Sequence, residues 1–333
     1  MTSRSLAAIS TATAASLFVA AFAATSASAA ADLGTIGVQL NFVPNVEHYG
    51  IAYAAEEGLA AAEGVEVDMK PGGQGIDPVQ VVGAGQAHIG VTSAEAFLLA
   101  RAQGIPLIAV AAQFQESPVA LTCREDSGIT SVGEIVGHTI GVKATAEPLF
   151  QVFLDVNGID AADIDTEPIG ASDVATIIAG AIDCQFTTFA VNEPNTMRNE
   201  GVEPVIFLLS ENGLPAQSNV YFTSEDALAD SRELIQAWLR ATSAAWATFL
   251  EDPEAAAQWQ VDSGLVDGLD LTQQTQQATG MVALIEGGPG LLALDPEKWA
   301  ETQANMLEST QLSEEIDLAA VLDTTVLAEA VGA

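Results

Sequence analysis

The chain has 333 residues, with 45 acidic and 9 basic side chains and a formal net charge of −36. This balance excludes nucleic-acid binding, which needs a basic surface, and also excludes attraction to anionic membranes. Hydrophobic residues make up 49% of the chain, too many for a disordered acidic segment. The length exceeds one ordinary core and indicates two lobes. We interpret the charge as a solvated acidic surface of the kind found in proteins from saline habitats.

Residues 1–30 are predicted to be a secretory signal peptide. Arg4 precedes an apolar run at 6–24, and Ala27-Ser28-Ala29 forms an A-x-A pattern, so we expect cleavage near Ala29-Ala30. No cysteine follows the run, so there is no lipobox. The mature protein is therefore expected in the periplasm or outside the cell, and no later segment has the length and apolarity of a membrane-spanning helix.

Cys123 and Cys184 are the two cysteines of the chain. In an exported protein they can form a disulfide, with two buried thiols as the alternative. The three histidines are far apart in sequence and show no metal-ligand spacing, so we expect no metal site and no cofactor.

Short apolar strands alternate with helical segments along most of the chain, which predicts α/β architecture with mostly parallel sheets flanked by helices. The expected strands lie at 36–40, 65–69, 88–91, 107–113, 139–142, 164–168, 184–189 and 220–223. The expected helices lie at 47–62, 78–85, 94–103, 149–157, 174–181 and 224–250, with a mainly helical tail from Asp252.

The order of these elements predicts two lobes joined by two crossings, near 115–121 and 207–218. The first lobe is expected to contain residues 31–117 and 213–333, including the helical tail, and the second lobe residues 118–212. Such an arrangement suits hinge closure around a ligand.

Ligands of open parallel sheets bind beyond the carboxyl ends of the strands, which selects five loops here. The loops at 41–49, 92–95, 113–115, 143–147 and 189–193 offer aromatic faces and a few polar groups, the composition of a pocket for a small flat ring. The candidate ligand-binding residues are Asn41, Phe42, Asn45, His48, Tyr49, Ser93, Glu95, Gln113, Phe114, Lys143, Thr145, Glu147, Phe189, Asn192 and Glu193.

Each of these residues also has a purely structural alternative. His48 can cap a helix, Phe42 and Tyr49 can pack in the core, and Glu193 can be a solvated loop carboxylate. Lys143 is the one basic residue of the five loops. Together with the helix starts near Ser93 and Thr145, it keeps an anionic ligand open as an alternative.

Five segments resemble, in order, the binding proteins of ABC importers for thiamine pyrimidine precursors, riboflavin, and sulfonates or taurine. The segments are NFVPNVEHYGIAYAAEEGLAAAEGVEV (41–67), PGGQGIDPVQVVGAGQAHIGV (71–91), ARAQGIPLIAVAAQFQESP (100–118), DSGITSVGEIVGHTIGV (126–142) and NEP (192–194). The resemblance covers roughly residues 35–220 well and the helical tail more loosely. It implies a type 2 periplasmic binding fold and a non-enzymatic protein that delivers its ligand to a permease with its ATPase. We expect a monomer.

By this resemblance, Phe42, Asn45, His48 and Tyr49 line the first lobe and Glu193 the second. PNVEH looks most like the pyrimidine binders, although these tend to have Trp where this chain has Phe42. The Gly-rich segments look at least as much like the riboflavin type. A carboxylate such as Glu193 can accept from an aminopyrimidine or from a flavin ring N–H.

Two alternatives remain at this point. The first is a binding protein for sulfonate, taurine or nitrate. The second, more remote, is an enzyme, because a yeast pyrimidine-precursor synthase shares the fold. That enzyme relies on a Cys-rich motif, and this chain has only Cys123 and Cys184.

Overall fold

A computed structural model describes Met1 and residues 31–73, 75–170 and 174–332. The predicted signal peptide, apart from Met1, therefore lies outside the described residues. The strands, in chain order, are β1 (Gly34–Gln39), β2 (Val65–Lys70), β3 (Ile89–Thr92), β4 (Leu107–Phe114), β5 (Val119–Arg124), β6 (Thr139–Lys143), β7 (Asp165–Ile169), β8 (Cys184–Phe189), β9 (Pro204–Leu208) and β10 (Ser218–Ser224).

Helices cover both sheets. They are α1 (Tyr49–Glu56), α2 (Leu59–Ala62), α3 (Pro78–Gly83), α4 (Ala94–Ala102), α5 (Glu147–Val156), α6 (Val174–Ile178), α7 (Glu193–Asn199), α8 (Glu225–Glu251), α9 (Pro253–Asp262), α10 (Leu271–Ile285), α11 (Pro296–Glu308), α12 (Leu318–Val321) and α13 (Thr324–Val331). Short 3-10 turns lie at Val46–His48, Glu125–Ser127, Val132–Ile135, Ala144–Ala146, Ala161–Asp163 and Ser210–Asn212. Among the described residues, no helix is both long and apolar enough to cross a membrane.

The strands form two sheets with the same plan, in the orders β2-β1-β3-β10-β4 and β7-β6-β8-β5-β9. In each sheet four strands share one direction and one strand runs against them, β10 in the first sheet and β5 in the second. The predicted α/β class with mostly parallel sheets is confirmed. The connections from β4 to β5 and from β9 to β10 carry the chain between the sheets.

Local sequence signals account for several helix starts. Asp77, Ser93 and Ser224 each accept a hydrogen bond from a backbone N–H in the first turn of the helix that follows, as capping residues do.

The predicted helix at 47–62 is wrong as a single element. It begins with a 3-10 turn and is broken at Gly58, where φ is +77°.

The long helix α8 packs its apolar stripe on one face of the first sheet. Trp238, Trp246 and Phe249 are fully buried in this core. Gly50 of α1 lies directly against the indole of Trp246, and a Cβ at this position would be 2.2 Å from the indole nitrogen. The other face is covered by α4 and α11, whose Phe97 and Trp299 meet edge to face at 5.4 Å.

The second sheet has its own core around Phe153 and Phe186, whose ring centroids are 5.4 Å apart. Cys123 of β5 and Cys184 of β8 are direct neighbours in the ladder and form a disulfide. Both are fully buried, so the cross-link ties the antiparallel strand to the middle of this sheet.

Candidate functional site

The two sheets present corresponding edges to each other. β1, β3 and β4 end at the edge of the first sheet where β10 begins, and β6 and β8 end at the edge of the second where β5 begins. The rings of Phe114 and Phe189, each at the end of its strand, meet edge to face at 5.7 Å. The predicted loops after these strands therefore come together from both sheets.

A chain of hydrogen-bonded amides and one carboxylate, most of them buried, crosses the edge of the first sheet. Asn219 is its centre: its Nδ2 donates to Oε1 of Glu47 at 2.9 Å and to Oε1 of Gln113 at 3.2 Å. Its Oδ1 accepts from Nδ2 of Asn41 at 3.0 Å, and Oδ1 of Asn41 lies 2.8 Å from Nε2 of His48. Because Asn41 offers its oxygen to His48, Nε2 carries the ring proton.

His48 is held as a neutral imidazole. It is fully buried, and burial lowers the pKa of His48 to about 3. Its Nδ1 is buried and has no hydrogen-bond partner among the described residues. The ring therefore acts as a fixed donor to Asn41 rather than as a charge.

The loop that carries Glu47 and His48 is fixed from two directions. Oδ1 of Asn45 caps the 3-10 turn by accepting from the backbone N–H of Glu47 at 2.8 Å. Gln274 of α10 accepts from the backbone N–H of Val46 at 2.9 Å. Gln113 donates to the carbonyl of Glu47 at 2.9 Å, so the loop cannot shift without breaking several buried bonds.

A cation and a carboxylate stand at the edge of the second sheet. Nζ of Lys143 donates to the carbonyl of Thr187 at 3.0 Å, and Oε2 of Glu193 accepts from the backbone N–H of Phe189 at 2.8 Å. Thr187 lies where the β5–β8 register shifts, and its φ of +58° is unusual for a β-branched residue. This bulge aims the carbonyl of Thr187 at Lys143, the kind of local strain that clusters at functional sites.

The pKa of the carboxylate at each edge is raised by burial. Burial raises the pKa of Glu47 to about 7; the hydrogen bond from Asn219 opposes the rise and the charge of Glu193 adds to it. Burial also raises the pKa of Glu193, with the backbone N–H of Phe189 and the charge of Lys143 acting in the opposite direction. Burial lowers the pKa of Lys143, while Glu193 raises it.

Helix α10 links the turn before α1, which follows the first sheet's β1, to the start of α7, which follows β8 of the second sheet. Nε2 of Gln273 donates to the backbone oxygen of Asn192 at 2.9 Å and to its Oδ1 at 2.8 Å. At the other end of α7, Asn199 donates to Oε1 of Gln273 and exchanges hydrogen bonds with Gln276. The residue that precedes Glu193 is thus tied to the first half of the molecule.

The four aromatic residues predicted to bind the ligand lie in different environments. Phe114 is fully buried and Phe189 half-buried where the two edges meet, whereas Phe42 is 42% exposed. Gly72 packs against the loop of Phe42, because a Cβ there would lie 2.5 Å from the Phe42 nitrogen. Tyr49 lies in the core of the first half: its ring stacks on Tyr53 at 4.7 Å and packs on rings of α8 and α9.

Three further candidates, Ser93, Glu95 and Glu147, do not join the network. Ser93 caps α4 with its hydroxyl, and Glu95, whose pKa is raised by burial, lines a small cavity with Leu149 and Thr302. Glu147 is exposed and lines a cavity of about 240 Å³ formed by residues 142–168 of the second half. The side chain of Thr145 lies outside the described part of the structure.

Sequence reasoning missed Glu47 and Asn219, the two residues at the centre of the network. The rule that selects loops after parallel strands passes over Asn219, because β10 is antiparallel and begins at this edge. Asn219 has φ +46°, in the left-handed region that asparagine tolerates better than most residues. Glu47 lies inside the selected loop 41–49. Nothing in the sequence distinguishes it from the other Asp and Glu residues, 45 in all, as a buried carboxylate.

Two mixed five-stranded sheets of this common plan, whose strand ends meet at the ring pair Phe114–Phe189, are typical of two-lobed binding proteins. The aliphatic sulphonate binding protein SsuA of Escherichia coli has this fold: it superposes with a TM-score of 0.65 at 16% identity, covering 86% of this chain and 91% of SsuA. The predicted periplasmic binding fold is thereby confirmed.

The chain belongs to the family described as NMT1/THI5 like, whose model matches residues 45–256, more than half of its length. It is 27% identical to the riboflavin-binding protein RibY of Chloroflexus aurantiacus, over 86% of this chain and 84% of RibY. It is 24% identical to the formylaminopyrimidine-binding protein of Halalkalibacterium halodurans, over 86% and 88% of the two chains. It also shares 26% identity, over 65% of its length and 70% of the relative, with a 4-amino-5-hydroxymethyl-2-methylpyrimidine phosphate synthase of Legionella pneumophila.

Proposed function

We propose that this protein is an extracytoplasmic substrate-binding protein of an ABC importer, which closes two lobes over a small nitrogen heteroaromatic ligand. The observation that carries the proposal is the meeting of two strand-end edges, with the ring pair Phe114–Phe189 and the polar groups Asn219, Glu47 and Glu193 around it. Aromatic faces with few, fixed polar groups suit a flat ring with N–H donors. The relatives that bind riboflavin and formylaminopyrimidine support this ligand class.

The remaining assignments belong to the same proposal. The lobes are residues 31–117 with 213–333, and residues 118–212. Residues 1–30 are a signal peptide, and the mature chain works as a monomer in the periplasm or outside the cell, where it meets a permease and its ATPase. We propose no catalytic role, in keeping with the binding proteins among its relatives.

The sulfonate, taurine or nitrate alternative fits the cleft less well. Glu47 and Glu193 bring two carboxylates to it, and Lys143 is the one basic group named there. A buried anion prefers Arg, Lys or helix N-termini without opposing carboxylates. The similarity to SsuA shows a common fold and does not favour a sulfonate ligand.

A thermal-shift screen tests the proposed ligand class. We expect stabilisation by 4-amino-5-hydroxymethyl-2-methylpyrimidine, formylaminopyrimidine or riboflavin, by about 2.7 kcal/mol at a hundredfold excess over Kd, and none by taurine, alkanesulfonates or nitrate. Phe189→Ala should weaken binding about tenfold through loss of ring contact. Phe207→Ala, which removes a half-buried ring from the edge strand β9, should leave it unchanged. Stabilisation by sulfonates alone would contradict the proposal.

We also propose that the acidic surface is adapted to salt. Arg101, Arg232 and Arg240 are already paired with carboxylates, which leaves a large excess of negative charge. Raising NaCl from 0.1 to 1 M shortens the screening length from about 10 to 3 Å. We expect the free energy of unfolding to rise by roughly 1–2 kcal/mol and Tm by about 2–4 °C. The rise should shrink at pH 5, nearer the pI of about 4.1. An equal rise at both pH values would point to a general salt effect.

A further inference from the structure

Helix α10 is fixed to the half of the molecule that is built on the first sheet. Its buried residues Met281 and Ile285 belong to the core of that half. At the C-terminal end of the helix, the carbonyl of Leu284 accepts from the backbone N–H groups of Gln115 at 2.8 Å and Glu116 at 3.2 Å. These two residues follow β4 and begin the connection to β5, so this end of α10 lies where the chain crosses between the sheets.

The N-terminal part of α10 contacts the other half through four amide side chains. Gln273 donates to the backbone oxygen and to Oδ1 of Asn192, directly before α7, at 2.9 and 2.8 Å. Its Oε1 accepts from Nδ2 of Asn199 at 3.2 Å, and Asn199 exchanges two bonds with Gln276, at 3.1 and 3.2 Å. Since α7 packs beside β8 and β9, these bonds join the two halves. We call Asn192, Asn199, Gln273 and Gln276 the amide clasp.

A glycine lets α10 approach the second half beside the clasp. Gly280 lies about two turns beyond Gln273, and a Cβ at Gly280 would be 2.9 Å from Cγ1 of Val191. Val191 follows β8 of the second sheet, yet its side chain is buried in the core of the first half. Glycine inside a helix is destabilising relative to alanine, so the close contact with Val191 accounts for its place here.

The distance from the crossing makes the clasp sensitive to the angle between the halves. Gln273 lies eleven residues before Leu284 in the chain, or about 16 Å along the helix axis. A rotation of about 15° about the crossing would part the clasp atoms by roughly 4 Å, too far for hydrogen bonds of 2.8–3.2 Å to persist. The backbone bonds of Leu284, close to the axis, would change little. The clasp therefore forms at one angle between the halves and breaks at others.

The same turn of α10 also holds a loop of the candidate site. Gln274, the neighbour of Gln273, accepts from the backbone N–H of Val46 at 2.9 Å, in the loop of Glu47 and His48. One turn of one helix is thus bonded to that loop in the first half and to the residue before Glu193 in the second.

We propose that the amide clasp is a latch that forms when the two halves close over the ligand, and that Gly280 leaves room for Val191 in the closed position. This inference rests on the proposed function, since closure is part of it. The clasp residues act as positioning groups, because they set how long the cleft stays closed. Loss of the clasp therefore speeds dissociation of the ligand and leaves its association rate unchanged.

Stopped-flow and calorimetric binding of riboflavin and 4-amino-5-hydroxymethyl-2-methylpyrimidine tests the latch. The double variant Gln273→Ala/Asn199→Ala removes all bonds of the clasp, and we expect about tenfold faster dissociation and a Kd about tenfold weaker. The urea midpoint of the ligand-free variant should equal that of the wild type, because the open form lacks these bonds. Gln258→Ala, which removes an exposed amide bonded to Asp262 within α9, is the control and should leave binding unchanged.

Gly280→Ala tests the latch without removing a hydrogen bond. Alanine favours the helix, so the ligand-free variant should unfold at no lower urea concentration than the wild type. Its Cβ meets Val191 on closure, and we expect Kd to weaken about tenfold. Gly133→Ala, whose Cβ would meet no atom of the described residues within 4 Å, should bind as the wild type does.

The outcomes separate the two proposals. Wild-type dissociation rates in both variants would overturn the latch and leave the proposed function standing. So would slower association with unchanged dissociation, or a loss of ligand-free stability as large as the loss of affinity. Binding of neither probe to the wild type would overturn the proposed function, and this inference with it. Because Gly280→Ala keeps every bond of the clasp, a folding defect in the double variant would not obscure the result.

Discussion

Reducing the disulfide between Cys123 and Cys184 is expected to lower the free energy of unfolding of the second half by about 4 kcal/mol. The two cysteines are 61 residues apart, and a cross-link that closes a loop of this length removes about that much conformational freedom from the unfolded chain. Both sulfurs are buried between β5 and β8, so they remain packed when reduced. Urea unfolding of the oxidised and reduced wild type measures the difference directly.

The double variant Cys123→Ala/Cys184→Ala serves as the packing control. It should unfold somewhat more easily than the reduced wild type, because it also loses the buried sulfur atoms. Equal urea midpoints for oxidised and reduced protein would show that the unfolded chain is already constrained in this region, contrary to the expectation.

Replacing Asn219 by alanine should destabilise the first half by roughly 3–5 kcal/mol and weaken ligand binding as well. The change removes the partners of Asn41, Glu47 and Gln113 at once, and each buried group left unpaired costs about 1–3 kcal/mol. Alanine is also disfavoured at φ +46°. Chemical unfolding monitored by tryptophan fluorescence would report the loss, since Trp246 donates to Tyr221, a neighbour of this network.

Two comparisons make this prediction specific. Asn219→Gly removes the same bonds without backbone strain, and should be about 1 kcal/mol more stable than the alanine variant. Asn305→Ala loses a single bond to the carbonyl of Gly213 and should change stability by no more than about 1 kcal/mol. A loss at Asn219 no larger than that at Asn305 would mean that the amide chain contributes little.

The alternation of strands and helices can be predicted from the sequence, because the signals for each element lie within a few residues of it. Caps such as Ser93 and Ser224 and the apolar stripe of α8 are visible within a few residues. β9 is harder to recognise, because it begins with Pro204, a residue that strands tolerate at a sheet edge, where β9 lies. β5 begins within the predicted crossing at 115–121, so the apolar run of its first residues does not mark a separate strand in the sequence.

The candidate site is predictable only as far as the parallel-strand rule reaches. That rule finds the loops of His48, Phe114 and Glu193, since each follows a strand of the common direction. It does not find Asn219, which becomes a neighbour of Gln113 through a pairing across more than 100 residues. Nor can it show that Tyr49 turns into the core, because that direction depends on the 3-10 turn that precedes α1.

The position of β10 between β3 and β4 has a consequence for the order of folding. All strands of the second sheet lie within residues 119–208, so that sheet can assemble as soon as this segment is available. The first sheet stays split until residues 218–224 arrive, and β3 and β4 keep unpaired edges in the meantime. Long-range pairing of this kind slows folding and prolongs exposure to aggregation. During synthesis the half that begins the chain would therefore be the last to complete its sheet.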